Sequence, residues 1–253
     1  MKTDVLVCRQ GEKGRKLVDA LAAKGYFTHH LPTFDIVAKA FKFGEKAGNY
    51  SDFIYTSINA VECFLNAFSQ IETLKNKRHW SIGKSTADAL ALHGIHARFP
   101  KNVQNSEALL RLIYQALLKD DSHFVLVKGK DGRKLLAEQL VKRYPLEVVE
   151  CYQRVAKAPE TLLQKLQALG ITSAPKLIIF TSFDGLKTAM PLFDFYPDWK
   201  QNSTITVTNS RMSDWATGQG FMKLHRISEY TNPALVNMSD QFLTRKTPDV
   251  SSR

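Results

Sequence analysis

Three segments of this chain occur twice, each pair about half a chain length apart. That duplication limits the fold more than any other feature of the sequence. The run VLVCRQGEKGRKLVDAL from Val5 returns as VLVKGKDGRKLLAEQL from Val125, with Gly-Arg-Lys-Leu at Gly14 and again at Gly132. IYTSINAV from Ile54 returns as IFTSFDGL from Ile179. IGKSTADALALHG from Ile82 returns as TNSRMSDWATGQG from Thr208, with the closing glycines Gly94 and Gly220 in register. Each copy reads as a short β-rich run followed by apolar residues at helical spacing, as in Leu17, Ala20 and Leu21. Strands of this length joined by helices pair in parallel and are covered on both faces. Two similar α/β lobes are therefore expected, and 253 residues suffice for two cores.

The same reading predicts strands at DVLVC, DFIYTS, HWSIG, HFVLVKG, KLIIFTS and TITVTN. It predicts helices at GRKLVDALAAKG, NAVECFLNAF, STADALALHG, GRKLLAEQLVKRY, GLKTAMPLF and RMSDWATGQG. No Gly/Ser-rich or Pro-rich tether separates the lobes. The candidate connections, HHLPTFDIVA near Pro32 and ECYQRVAKAP ending at Pro159, read as strands, so the chain crosses from one lobe to the other and returns.

Composition excludes several classes. Hydrophobic and charged contents of 44% and 23% are those of a globular protein. No apolar run approaches the roughly 20 residues of a membrane span, and the start MKTDVLVCRQ has no signal-peptide pattern. The cysteines Cys8, Cys63 and Cys151 are odd in number and far apart, which fits a reducing cytoplasm and neither a disulfide framework nor a zinc site. The net charge of +11 favours a polyanionic partner: nucleic acid, a phosphorylated ligand or a polycarboxylate. Lys and Arg are scattered, with no basic tail and no RNA-binding aromatic motif, and a nucleic-acid partner is not expected.

In open parallel sheets ligands bind beyond the carboxyl ends of the strands, where helix N-termini offer free N–H groups. Every repeated motif falls at such a junction. Arg9, Ser57, Lys84, Thr86, Lys128, Gly129, Arg133, Thr181, Ser182, Ser210 and Arg211 are the candidate binding residues, facing a cleft between the lobes. Each has a plainer alternative. A serine after a strand caps the following helix, a contribution of about 1 kcal/mol; the glycines permit tight turns; the cations are solvated surface charges. No phosphate loop, dinucleotide fingerprint, metal-ligand spacing or nucleophile elbow is present, and neither cofactor nor metal is expected. His29 and His30 are adjacent and in a strand face opposite ways.

EVVECYQRVA, residues 147–156, is an apolar strand that ends on Tyr152 and Arg154. A buried structural tyrosine is the plain reading. The ordered set VLVCR, LPTFDI, DFIYTSINAV, IGKSTADAL, NSEALL, VLVKGKDGRKLL, VVECYQR and IIFTS, with VTNSRMSDWA after it, resembles the uroporphyrinogen-III synthases. The resemblance implies two flavodoxin-like or Rossmann-like lobes joined by a two-stranded linker. One lobe would hold 1–34 plus 157–253 and the other 37–150, with crossings at 35–36 and 151–156. It implies a cofactor-free lyase that cyclises hydroxymethylbilane, a linear tetrapyrrole rich in carboxylates, to uroporphyrinogen III. Ring D is inverted through a spiro intermediate and water is lost. The net charge would then steer and hold the polycarboxylate.

By the same resemblance Tyr152 is the catalytic residue, assisting departure of the hydroxyl. Thr86 matches the threonine of a family G-x-x-T motif, and Thr181 or Ser182 a binding hydroxyl. Four positions depart from the pattern. Asn209 and Met212 stand in the second G-x-x-T, leaving Ser210 or Arg211 to bind carboxylate; Lys128 replaces an arginine, keeping charge but not its fork; Cys8 replaces a threonine. A cytoplasmic monomer is implied, with no membrane contact and at most a transient contact with the preceding enzyme of the pathway. The competing reading is a cytoplasmic two-lobed α/β protein that binds an anionic ligand without chemistry.

Overall fold

The computed structural model describes residues 3–43, 49–116 and 121–244. Residues 1–2 and 245–253 of the first expected lobe, and 44–48 and 117–120 of the second, lie outside the described residues. The chain divides into two compact units, one formed by the residues up to Asp35 together with those from Ala156 onward, the other by Ile36–Val155.

The first unit opens with β1 (Val5–Val7), α1 (Gly11–Ala22) and β2 (Thr28–His30). The chain then enters β3 (Phe34–Ala38) and builds the second unit. That unit holds β4 (Asp52–Tyr55), α2 (Ile58–Ala67), α3 (Ile71–Leu74), β5 (Arg78–Ser81), α4 (Lys84–Ala91), β6 (Ala97–Arg98) and α5 (Ser106–Ala116). It closes with β7 (Phe124–Gly129), α6 (Leu135–Leu140) and β8 (Leu146–Ala156). The chain returns through α7 (Pro159–Ala168), β9 (Leu177–Ile179), α8 (Phe183–Thr188), α9 (Met190–Phe195) and α10 (Trp199–Asn202). The first unit is completed by β10 (Thr204–Val207), α11 (Ser210–Gly218), β11 (Lys223–Arg226) and α12 (Asn232–Thr244).

The first sheet runs β11-β10-β9-β1-β2 and the second β3-β8-β7-β4-β5-β6. The ladders among β1, β2, β9, β10 and β11, and those among β4, β5, β6, β7 and β8, are parallel. Aligning the sequence repeats pairs β1 with β7, β9 with β4 and β10 with β5. With β11 set against β6 and β2 against β8, five strands follow the same order in both sheets, and β3 is an added edge strand beside β8. Each unit therefore carries one copy of every repeated segment, as a duplicated α/β chain requires.

Period-two alternation fixes what each strand buries. On β1, Leu6 joins one core with Ile178 and Ile205, while Val5 and Val7 join another with Leu17, Leu21, Leu177 and Ile179. On β4 and β7, Phe53, Tyr55, Val125 and Val127 face one core, and Ile54, Phe124 and Leu126 face the other. Both sheets are thus covered on two faces, and each of these cores draws its residues from a single unit.

Two expected helices differ from the structure. The run from Gly132 to Tyr144 is helical only over α6, because Gly129, Asp131 and Gly132 form a turn in which Asp131 takes a φ of 62°. GLKTAMPLF divides at Ala189 into α8 and α9, since Pro191 has no N–H to continue a helix and is suited to a first turn. No helix among the described residues is long and apolar enough to cross a membrane.

Candidate active site

Tyr152 owes its position to an irregularity in the β7–β8 ladder. Lys128 pairs with Glu150 but Gly129 with Tyr152, so β8 gains one residue there. Without that shift Cys151 and Tyr152 would point to opposite faces of the sheet and could not both join the same core. With it, both are buried in succession, and the shift acts as a bulge that re-aims the tyrosine. Cys151 turns into the core, its thiol close to the carbonyl oxygens of Ala60 and Lys128 at 3.5 and 3.7 Å. Burial pushes that thiol up to about 12, so it stays protonated and unreactive.

The Tyr152 ring lies close against Gly129. A Cβ built there would sit 2.5 Å from Cζ and 2.9 Å from the hydroxyl, so no other residue leaves the ring in place. The hydroxyl meets Ser57 Oγ at 3.0 Å. Ser57 also caps α2, its Oγ accepting the Ala60 N–H at 3.1 Å. The guanidinium of Arg154, two residues on along β8, stands 5.7 Å from the centre of the Tyr152 ring.

These groups line a cavity of about 290 Å³ at the carboxyl ends of β4 and β7. Its walls include Ser57, Lys128, Gly129, Arg133, Tyr152 and Arg154, closed by Gln104, Asn105 and Ser106 from the start of α5. Asn105 accepts the Ala108 N–H at 2.8 Å and so begins that helix. Lys128 is largely enclosed, with Nζ 3.5 Å from Glu150. The Lys39 hydrogen bond, and then the Lys128 charge, hold the Glu150 carboxyl below the usual range. Arg133 is exposed, with a long 3.8 Å contact to Glu107. Three cations, a phenol and two helix N-termini thus converge on one volume, an arrangement suited to a carboxylate-bearing ligand.

Of the residues expected from sequence, Ser57, Lys128, Gly129, Arg133 and Tyr152 come together here. Lys84 and Thr86 do not line the cavity. Lys84 turns along α4 to Asp88 at 2.8 Å, and Thr86 is buried in that helix. The first unit holds the others. There Arg9 donates to Asn232 Oδ1 at 2.8 Å, and burial lowers its pKa without discharging it. Ser182 caps α8 through Gly185 N–H at 3.1 Å, repeating the Ser57 geometry. Thr181 precedes that cap and is half-buried. Asn209, not Ser210, caps α11, accepting the Met212 N–H at 3.0 Å, while Met212 is buried and leaves the surface to its neighbours. Ser210 and Arg211 are exposed, and Arg211 stands 5.3 Å above Phe183.

Arg154, Gln104, Asn105 and Asn232 are not among the candidate site residues named from the sequence. Arg154 carried a signal, since it lies two residues after Tyr152 on a strand and so shares its face. Asn105 also carried one, as a polar cap directly before an apolar helical run.

The family model described as uroporphyrinogen-III synthase HemD matches residues 15–237. The chain belongs to the uroporphyrinogen-III synthase family. It is 32% identical over 165 residues to the uroporphyrinogen-III synthase of Proteus mirabilis, spanning 60% of this chain and 80% of that one. It is 28% identical over 134 residues to that of Chlorobaculum parvum, spanning 51% of this chain and 54% of that one. The crystal structure of uroporphyrinogen-III synthetase from Helicobacter pylori superposes with a TM-score of 0.67 at 17% identity, over 94% of this chain and 99% of that one; it shares the two-lobed α/β fold. Members of the family cyclise hydroxymethylbilane in tetrapyrrole biosynthesis, and the chain is accordingly a cyclising lyase.

Proposed function

We propose that this chain expels the hydroxyl of hydroxymethylbilane in the cavity of the second unit, with Tyr152 as the proton donor. The observation that carries this reading is the Tyr152 phenol. Its ring is buried, yet it forms a wall of a cavity that Lys128, Arg133 and Arg154 also line. A phenol holds its proton at neutral pH and can give it to a leaving oxygen. The carbon–oxygen bond breaks, its electron pair goes to the oxygen, and the Tyr152 proton converts that oxygen to water. The pyrrole nitrogen supplies the electrons that leave an azafulvene-type electrophile. Attack by the substituted α-carbon of ring D gives the spiro intermediate; the bond from that carbon to the methylene of ring C then breaks, and this methylene bonds the other α-carbon of ring D, which inverts the ring. The proton lost when ring D closes restores the phenol.

The cations hold carboxylates rather than take part in bond breaking. Lys128, Arg133 and Arg154 would serve this purpose in the second unit, and Arg9, Ser210 and Arg211, with the hydroxyls of Thr181 and Ser182, in the first. Lys84 contributes only if it leaves Asp88, and Thr86 supports α4. A polycarboxylate substrate, a monomer and no bound nucleic acid complete the proposal.

The test is Tyr152→Phe assayed with freshly made hydroxymethylbilane, the type I and type III products being separated. General acid assistance is typically worth 10²- to 10⁴-fold. Because this substrate also closes spontaneously, the expected loss in kcat lies at or below about 10². The enzymatic product should remain type III. Wild-type kcat in a folded Tyr152→Phe protein would return the tyrosine to a purely structural role.

A further inference from the structure

We infer that Ser57 is a positioning residue for the proton transfer, donating its hydroxyl hydrogen to the Tyr152 oxygen. This inference rests on the reading of Tyr152 as the proton donor. At 3.0 Å either hydroxyl is able to donate. The role of Tyr152 as proton donor selects one direction for a productive complex. Its Oγ already accepts the Ala60 N–H at 3.1 Å, which ties one lone pair to the first turn of α2. A serine hydroxyl has one hydrogen and two acceptor sites. If Tyr152 donated to Ser57, the phenol hydrogen would be held against the helix and be absent from the cavity. If Ser57 donates to Tyr152, the phenol hydrogen is free to point at the leaving oxygen. Only the second arrangement allows the tyrosine to act as an acid.

The same bond strengthens as the reaction proceeds. When the phenol hydrogen moves to the leaving oxygen, the phenol O–H bond breaks and the negative charge stays on the Tyr152 oxygen. The Ser57 O–H then donates to an anion, a stronger bond than to a neutral phenol. The start of α2, a ten-residue helix, places its positive dipole end beside that oxygen. Ser57 therefore stabilises the transition state more than the ground state, which places its effect on kcat and not on KM. The other copy of the repeat isolates what is particular to this serine. Ser182 caps α8 at the same 3.1 Å, whereas Ser57 combines its cap with the contact to the phenol.

Capping and donation are separable by substitution. Ser57→Ala removes both, Ser57→Asp keeps the cap but has no hydrogen to donate when ionised, and Ser57→Thr keeps both. Thermal midpoint, kcat and KM with hydroxymethylbilane should be measured for all three, alone and combined with Tyr152→Phe. Ser57→Ala should lose roughly tenfold in kcat, the worth of one hydrogen bond to a charged group. Ser57→Asp should regain the midpoint while kcat stays low, and Ser57→Thr should restore kcat. In the Tyr152→Phe background, Ser57→Ala should change kcat less than about twofold, because the bond it removes no longer exists. If Ser57→Asp turns over at the wild-type rate while Tyr152→Phe is slow, the serine is only a cap and this inference fails alone. Additive losses in the double variant would likewise overturn it. Full activity in Tyr152→Phe would remove the reading on which it rests. Should Ser57→Ala fail to fold, the Asp and Thr variants decide the matter.

Discussion

Gly129→Ala should disable the tyrosine without touching it. A Cβ at position 129 would lie 2.5 Å from Tyr152 Cζ, 2.7 Å from Cε2 and 2.9 Å from the hydroxyl. Carbon atoms pack at about 3.5–4.0 Å, so the ring must retreat by roughly 1 Å. Position 129 is not among the glycines with positive φ, and alanine adds no backbone strain of its own. The cost in stability is that of an overpacked site, about 1–3 kcal/mol. The cost in rate follows from geometry. A 1 Å misplacement near reacting groups is worth up to about 10²-fold, and the retreat also disturbs the 3.0 Å contact with Ser57.

Since the acid itself is worth no more than about 10²-fold on this substrate, kcat should fall between roughly tenfold and a hundredfold, towards the Tyr152→Phe value. KM should change little, because Lys128, Arg133 and Arg154 remain. The assay is saturation kinetics with fresh hydroxymethylbilane and isomer separation, beside a thermal melt. Combining Gly129→Ala with Tyr152→Phe should add almost nothing to the kinetic loss. A folded Gly129→Ala protein with kcat within about twofold of wild type would refute the claim that tyrosine placement limits the rate.

Three further outcomes follow from other parts of the structure. Asp52 is buried and accepts from Arg78 at 2.9 and 2.8 Å, Trp80 Nε1 at 2.8 Å and Ser51 at 2.7 Å, so Asp52→Ala should cost about 3 kcal/mol in chemical denaturation, with kcat retained in the folded fraction. His79 is buried with Nε2 2.7 Å from the Leu74 carbonyl oxygen, and burial lowers its pKa; its contribution is present above the ordinary value of about 6.5 and is lost as pH falls towards the lower folded value. Melts across that window should show stability falling by up to about 1.4 kcal/mol per pH unit from this group, and His79→Phe should remove one proton's worth of the slope. Finally, segment 36–155, expressed alone, should give a cooperative melt, because among the described residues the two cores around its sheet draw on none outside it.

Much of the fold was legible because the duplication is written in strand-forming runs. Ile54 and Ile179, or Val5 and Val125, stand at equivalent places in two sheets that share a five-strand order. The helix limits were less so. Gly132-Arg133-Lys134 has helical composition, but the turn at Asp131 delays α6 to Leu135, and Pro191 divides the run after Ser182. The expected residues that line the cavity include Ser57, Lys128, Gly129 and Tyr152, on or just after strands, where strand ends meet helix starts. Lys84 stands outside the cavity lining: Lys-x-x-x-Asp is an i,i+4 pair visible in the sequence, and on a helix that spacing favours the ion pair with Asp88. Contacts set by distant pairing left no local trace. Asn232 reaches Arg9 across 223 residues, and the one-residue shift between β7 and β8 depends on both strands at once.

The central claim is that Tyr152 delivers a proton to the leaving oxygen, and changing the leaving group tests it most directly. An acetate ester of the bilane hydroxyl departs as a carboxylate and needs no proton. Single-turnover rates of type III formation should be compared for wild type and Tyr152→Phe with both substrates. The hydroxyl substrate should show a wild-type to variant ratio of roughly ten to a hundred, and the ester a ratio near one. An equal, large ratio for both substrates would contradict proton donation and leave Tyr152 as a residue that only shapes the cavity.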